Sequence, residues 1–154
     1  RQPIKMQTAI DKFERLLAEN LEYFRTTAIS ILEEKTSEEK WSKKEILGHL
    51  ADSSIHNLIR FTEINYAEKP YIYRTYNQND LVKINQSQEM DIEELVQFWL
   101  SINKQILRIF KSVNDETLEY EILLKDNSII NLWYLMTDFV EHLEHHINQI
   151  KKTE

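Results

Sequence analysis

The sequence contains no cysteine, one glycine and two prolines in 154 residues. Without cysteine the chain can form neither disulfides nor thiolate metal sites, and it has no cysteine nucleophile. Any metal ion must therefore be bound by His, Asp or Glu. The scarcity of glycine and proline removes the residues on which hairpins and tight turns depend, so the composition argues against an all-β protein and favours helices.

Positive charge is also in short supply, because 19 Lys and Arg residues stand against 26 Asp and Glu, which gives a formal net charge of −7. Nucleic acids and anionic lipids are bound through basic surfaces, so we expect neither as a partner and predict a small-molecule substrate. No basic-then-apolar leader opens the sequence, and the most apolar stretch, Ile129–Met136, is short and interrupted by Asn131. We therefore expect a cytoplasmic protein that does not enter a membrane.

Apolar residues recur at helical spacing in four segments, which predicts four helices in a single domain over residues 1–154. The expected helices run from about Thr8 to Leu32, from Ser42 to about Tyr66, from Asp91 to about Val113 and from about Asn131 to Lys151. Ser42 with Glu45, and Asp91 with Glu94, have the spacing of helix-capping boxes. The predicted fold class is all-α, a four-helix bundle with a long connection between helices two and three.

Two connections lack helical spacing. In residues 67–88, Pro70 is followed by three tyrosines and a polar stretch, and we interpret this long connection as the edge of a pocket. In residues 114–128, the stretch Tyr120–Leu124 fits either an extended segment or a single helical turn, and the pattern leaves both open.

All five histidines lie in two of the predicted helices: His49 and His56 in the second, and His142, His145 and His146 in the fourth. Residues four apart share one face of a helix, so His142 and His146 can present two imidazole nitrogens to one ion. His49 is the best-placed third ligand on a neighbouring helix. Three histidines would leave coordination positions open, as in catalytic zinc sites, where the ion activates a bound water or thiol.

Other interpretations of these residues stay open. Histidines four apart also occur where they only pack or lie at the surface. His145 is a conceivable ligand with His142, but it points about 100° away from His146. We expect four residues to surround the site rather than bind the ion: Asp52, His56, His145 and Gln149. The chain lacks the Glu-x-x-His pairs of di-iron bundles, the His-Glu-x-x-His protease motif, a serine-hydrolase elbow and a glycine-rich phosphate loop.

Two stretches of the sequence carry a recognisable pattern: Trp41–Ser53 (WSKKEILGHLADS) and His142–Ile150 (HLEHHINQI). They resemble the signature segments of the bacterial DinB-like superfamily, particularly its YfiT-type metal-dependent hydrolases. The resemblance extends over nearly the whole chain. It implies an up-down-down-up order of helices, often a homodimer, and a divalent ion, zinc or nickel. The family's ligand positions correspond to His49, His142 and His146, which favours His146 over His145.

A weaker part of the resemblance lies between the two stretches. Arg60 and the loop Tyr76–Leu81 are similar to the family's arginine and Gln-Asp loop, although Asn79 separates Gln78 from Asp80. Characterised relatives include bacillithiol S-transferases and a mycothiol-dependent maleylpyruvate isomerase. The resemblance thus implies a low-molecular-weight thiol as a partner.

The residues and the resemblance together favour a metal-dependent enzyme that activates a thiol or a water, with thiol transfer ahead of hydrolysis. A non-catalytic binding or stress-response module, in which the metal only ties helix two to helix four, is the alternative from another class. A third possibility is a site without metal, in which the histidines merely pack.

Overall fold

The computed structural model describes residues 2–152, so Arg1, Thr153 and Glu154 of the predicted 1–154 domain lie outside the described residues. In chain order the helices are α1 (Ile4–Thr26), α2 (Ile29–Leu32), α3 (Lys43–Glu63), α4 (Gln78–Ile84), α5 (Ile92–Ser112), α6 (Asp115–Leu118) and α7 (Leu132–Lys151), with a 3-10 turn at Ser87–Glu89. The strands are β1 (Tyr71–Ile72), β2 (Glu121–Leu123) and β3 (Ile129–Asn131). The long helices α1, α3, α5 and α7 form the bundle, and the predicted all-α class is confirmed.

Side-chain caps begin three of the four long helices. Ser42 Oγ accepts from the backbone N–H of Glu45, and the Glu45 carboxylate accepts from the backbone N–H of Ser42, which confirms the predicted capping box before α3. Asp91 and Asn131 cap α5 and α7 in a similar way, each accepting from the backbone N–H three residues on. These caps satisfy backbone donors that the first turn of a helix leaves free, and they fix where α3, α5 and α7 start.

Four phenylalanines, one from each long helix, meet in the centre of the bundle. Phe13 of α1 lies 5.3 Å from Phe110 of α5 and 5.6 Å from Phe139 of α7, measured between ring centroids. Phe61 of α3 lies 5.4 Å from Phe110 and 5.7 Å from Phe139. Tilted and edge-to-face contacts of this kind add to the free energy gained by burying the rings, so the cluster ties all four helices together.

The helices α3 and α7 run antiparallel. The ammonium group of Lys43, at the first residue of α3, donates to the backbone carbonyl of Ile150 near the end of α7. The helix α5 runs parallel to α3, because Asn103 donates to Ser54 Oγ at 2.9 Å midway along both helices and the Phe61–Phe110 contact lies near the far end of both. The start of α3 therefore lies beside the end of α7.

The helix α1 runs parallel to α7 and antiparallel to α5. Four ion pairs show these directions: Lys12–Glu141 and Lys151–Glu19 towards α7, and Arg25–Glu93 and Lys111–Glu14 towards α5. Surface pairs of this kind contribute roughly 0–1 kcal/mol each, so the buried apolar side chains hold the arrangement. The order of the long helices is up-down-down-up, as the family resemblance implied.

Three parts of the chain differ from the prediction. The first helix ends at Thr26 rather than Leu32, because Thr27 and Ala28 adopt extended backbone before the short α2. Residues 67–88 are not a plain connection but contain β1, α4 and the start of the 3-10 turn. In residues 114–128 the stretch Tyr120–Leu124 takes the extended alternative, as β2, and the helical turn α6, which was not predicted, precedes it.

The three strands form a small sheet in the order β1-β2-β3. Strand β2 pairs antiparallel with β3 and parallel with β1, with Ile122 opposite Ile130 and Tyr71. Because β3 leads directly into α7, the sheet lies at the end of the bundle where α7 begins and α3 ends. Within residues 2–152, no helix combines the length and the apolar character needed to cross a membrane.

Candidate metal centre

Two histidines lie one turn apart on the same face of α7. The ring centroids of His142 and His146 are 4.5 Å apart, and their Nε2 atoms are 3.2 Å apart. Two nitrogens that bind one zinc ion tetrahedrally, at Zn–N distances of roughly 2.0–2.1 Å, stand roughly 3.4 Å apart. The pair therefore has the spacing of a chelate.

His49 reaches the same point from α3. It lies in the second turn of that helix, and the antiparallel packing brings this turn against the C-terminal half of α7. The His49 ring centroid is 4.7 Å from that of His146 and 5.9 Å from that of His142. One ring nitrogen from each residue lies within 4.8 Å of the others. We refer to His49, His142 and His146 as the three-histidine cluster.

The buried His49 ring tests whether the cluster fits a metal ion. The residue is 1% exposed, and neither of its ring nitrogens has a hydrogen-bond partner. A buried polar atom without a partner costs about 1–3 kcal/mol. Trp41 stacks on the His49 ring at 4.9 Å between centroids and shields it from solvent. A ring nitrogen of His49 that is shielded from water and lies beside two other imidazoles is suited to bind a metal ion.

The surroundings keep all three imidazoles neutral near pH 7. Burial, with smaller contributions from the two neighbouring histidines, lowers the pKa of His49 to about 4. Burial also lowers the pKa of His142, although Asp138 acts in the opposite direction, and it lowers the pKa of His146. Neutral imidazoles retain a lone pair for a metal ion.

Gln149 orients one of the three rings. Its Oε1 lies 2.9 Å from Nδ1 of His146. Because an amide oxygen only accepts hydrogen bonds, this contact places the proton of the imidazole on Nδ1 and the lone pair on Nε2, the atom that faces His142. Gln149 thus makes the contact expected of a residue that surrounds the site.

The other three residues expected around the site lie outside the cluster. His145 is exposed on α7, with its ring centroid 5.3 Å from that of His146. Asp52 is buried, and its Oδ1 accepts a hydrogen bond from Asn85 at 2.7 Å. Its carboxylate therefore anchors the segment before α5 and does not orient a histidine ring. His56 turns towards its own helix, with Nδ1 2.9 Å from the backbone oxygen of Asp52.

A cleft of about 240 Å³ opens beside the cluster along the seam between α3 and α7. Its wall includes Asn57 and Arg60 from α3, Tyr73 and Tyr76 from the following connection, and Asp138 and His142 from α7. Residues 67–88, interpreted as a pocket edge, therefore do form one wall. Because His142 belongs both to the cleft and to the cluster, a small molecule in the cleft lies next to the candidate metal ligands.

Several of these residues had no role assigned from the sequence. Asp138 lies four positions before His142, so helical spacing alone would have placed it on the same face. The stacking of Trp41 depends on how the chain enters α3, and the position of Tyr73 depends on the pairing of β1. Neither feature has a local sequence pattern.

Comparison with known proteins supplies a family and a fold. The sequence model of the DinB superfamily matches residues 6–150. No curated protein matches the chain significantly. The structure of YfiT from Bacillus subtilis, described as a probable metal-dependent hydrolase with an unusual four-helix bundle topology, is similar with a TM-score of 0.83 at 21% identity, covering 97% of this chain and 87% of that chain.

A mycothiol-dependent maleylpyruvate isomerase and a histidine-to-alanine variant of it are also similar, each with a TM-score of 0.72 at 9% identity. The match covers 96% of this chain but 61% of the isomerase. At these identities the likenesses establish the fold that the proteins share.

Proposed function

Since this chain belongs to the DinB superfamily, we propose that it is a metal-dependent enzyme in which His49, His142 and His146 hold one divalent ion. Zinc and nickel are both suited to imidazole ligands. The observation that carries the proposal is the buried His49 ring, whose two nitrogens have no partner although two other imidazoles lie beside it.

A divalent ion in this position supplies Lewis-acid chemistry, lowering the pKa of a thiol or water so that a nucleophile is available near neutral pH. Residues of the chain orient and shield the metal ligands and form the substrate cleft. Gln149 fixes the orientation of His146, and Trp41 covers His49. The cleft beside His142 receives the electrophilic substrate that the activated thiol or water attacks.

We place thiol transfer ahead of hydrolysis as the reaction. The isomerase with the shared fold depends on mycothiol, which supports a thiol substrate, while YfiT is described as a probable metal-dependent hydrolase, which supports hydrolysis as the second candidate. The chain has no cysteine, so the thiol must be a small molecule that enters the cleft. In the transfer, the thiol sulfur forms a bond to an electrophilic carbon, the leaving group departs from that carbon, and the thiol proton passes to solvent.

Elemental analysis of protein purified without an affinity tag tests the metal site. Wild-type protein supplied with zinc or nickel should hold about one ion per chain, as a single tris-histidine site requires. The His146→Ala variant should lose the ion. His145→Ala removes an exposed imidazole one position away and is the matched control, which should keep it. Unchanged metal content in His146→Ala would refute the ligand set.

A conjugation assay separates a catalytic metal from a structural one. Wild-type protein is incubated with low-molecular-weight thiols, including bacillithiol and mycothiol, and a panel of electrophiles. For a catalytic metal, His146→Ala should abolish turnover while the thermal midpoint changes little, because the apolar core supports the bundle. A large loss of thermal stability, with no turnover in the wild type, would instead support the non-catalytic alternative.

A further inference from the structure

Arg60 is a buried cation that faces the cleft. The residue is 5% exposed, and it lines the same cleft as His142. A buried charge is costly unless it is paired. Within residues 2–152, no Asp or Glu forms an ion pair with Arg60, and its hydrogen bonds go to other groups. Among the described residues, this positive charge of the cleft thus has no carboxylate at ion-pair distance.

The groups that hold Arg60 in place include no carboxylate. One N–H of the guanidinium donates to Asn57 Oδ1 at 3.3 Å, and another donates to the backbone carbonyl of Arg74. The ring of Tyr73 lies against the guanidinium, with its centroid 4.0 Å from Cζ. A guanidinium has five N–H donors, so about three remain for a further acceptor. The contacts fix the orientation of the group but leave its charge uncompensated.

The wall of the cleft also contains one carboxylate, which α7 supplies. Asp138 lies one turn before His142 on α7 and lines the same cleft. Arg60 follows His49 by eleven positions on α3, a separation of about 16 Å along the helix axis at 1.5 Å per residue. The cleft therefore has a positive end at Arg60 and a metal-binding end at the cluster.

We infer that Arg60 is an anion subsite that binds a carboxylate of the substrate, while the reacting carbon of the substrate lies at the three-histidine cluster. The planar fork of a guanidinium matches a carboxylate through two parallel hydrogen bonds. The cleft volume of about 240 Å³ suits a small organic acid. The inference rests on the proposed function for its reacting end, but Arg60 can be tested without the metal.

Binding of benzoate and benzamide tests the subsite, because the two probes share a ring and differ in charge. Each is titrated into the isotopically labelled full chain, as purified and after dialysis against EDTA, and the Nε–H signal of Arg60 is followed by NMR. Benzoate should shift this signal and bind at least tenfold more tightly than benzamide, with or without metal. Equal binding of the two probes, or benzoate binding that is lost with the metal, would overturn the inference.

Substitutions then show which side chain causes the preference for benzoate over benzamide. Arg60→Gln should abolish the preference for benzoate, whereas Arg74→Gln, which removes the charge of an exposed neighbour, should preserve it. Circular dichroism melts establish that the variants fold. If Arg60→Gln does not fold, Arg60→Lys retains the charge without the fork and should bind benzoate at least threefold more weakly. Unchanged benzoate binding in a folded Arg60 variant contradicts the subsite.

A reactive pair of probes connects the subsite to turnover. The probes 8-iodooctanoate and 8-iodooctanamide differ in the same way, and their alkyl chain is long enough to place the reacting carbon towards the cluster while the other end lies at Arg60. The protein has no cysteine that they could alkylate. In the test reaction a small thiol forms a C–S bond, iodide leaves, and the thiol proton passes to solvent. Relative to the uncatalysed rates, the enzyme should favour 8-iodooctanoate over 8-iodooctanamide at least tenfold, and Arg60→Gln should remove this bias. Absence of turnover with both probes would count against the proposed function, while benzoate binding decides the role of Arg60.

Discussion

The buried His49 ring should make the metal-free protein sensitive to acid. Burial and the neighbouring imidazoles lower its pKa from 6.5 to about 4 in the folded chain, whereas an unfolded chain has the ordinary value. Between these two pH values the unfolded chain binds more protons, so the free energy of unfolding decreases as the pH falls from about 6.5 to about 4. The contribution of the neutral His49 ring to the free energy of unfolding is therefore fully present above about pH 6.5 and is lost below about pH 4.

The size of the effect follows from the pKa difference. One pKa unit corresponds to roughly 1.4 kcal/mol, so a change from 6.5 to about 4 predicts a loss of about 3 kcal/mol from His49 alone. Native proteins have free energies of unfolding of roughly 5–15 kcal/mol. A loss of this size is therefore a large fraction of the total and is readily measured.

Urea unfolding at pH 7 and pH 4, in the presence of EDTA, measures the loss in wild-type protein and in His49→Phe. Phenylalanine keeps an aromatic ring against Trp41 but cannot bind a proton. The variant should lose about 3 kcal/mol less than the wild type between the two pH values. Carboxylates and the two histidines of α7 are present in both proteins, so the difference isolates His49. Equal losses in the two proteins would refute the reasoning.

Three further substitutions test the surroundings of the site. A Cβ at Gly48 would lie 2.3 Å from Cβ of Ser87, so Gly48→Ala should reduce the free energy of unfolding by about 1–3 kcal/mol despite its better helix propensity. Adding Ser87→Gly should restore most of it, and a neutral effect of the single change in urea unfolding would contradict this packing. Gln149→Leu should weaken metal affinity roughly 10–100-fold in competition with a chelator, while Asn148→Leu on the exposed surface should not. Ser42→Ala removes the cap of α3 and should lower stability by about 1 kcal/mol, as measured by thermal unfolding.

The long helices were predictable because their signals are local. Capping residues and apolar spacing lie within a few positions of one another, so Ser42 and Asp91 marked the starts of α3 and α5 correctly. The break after Thr26 was missed because apolar residues continue at helical spacing on both sides of it. The sheet was missed for another reason: β1 and β2 contain two and three residues, and they pair across about fifty positions of sequence.

The candidate site also has features that a local sequence pattern predicts and features that depend on how the helices pack. The spacing of His142 and His146 is a property of one helix, and it predicted a pair on a single face. The contribution of His49 depends on which helices are neighbours. Its position made it the best-placed third ligand, and the family resemblance strengthened that choice. The burial of Arg60 and the partners that hold it depend on the path of the following connection, which no local pattern describes.

The order of the helices explains why the connection and the cleft occur together. Because α3 and α5 are parallel, the chain must return along the full length of the bundle between them, roughly 30 Å for helices of 21 residues. This return passes the seam between α3 and α7 and supplies Tyr73 and Tyr76 to the cleft. The antiparallel packing of α3 and α7 independently brings His49 to His142 and His146. Changes in the connection should therefore alter substrate binding at the Arg60 end while leaving metal content unchanged.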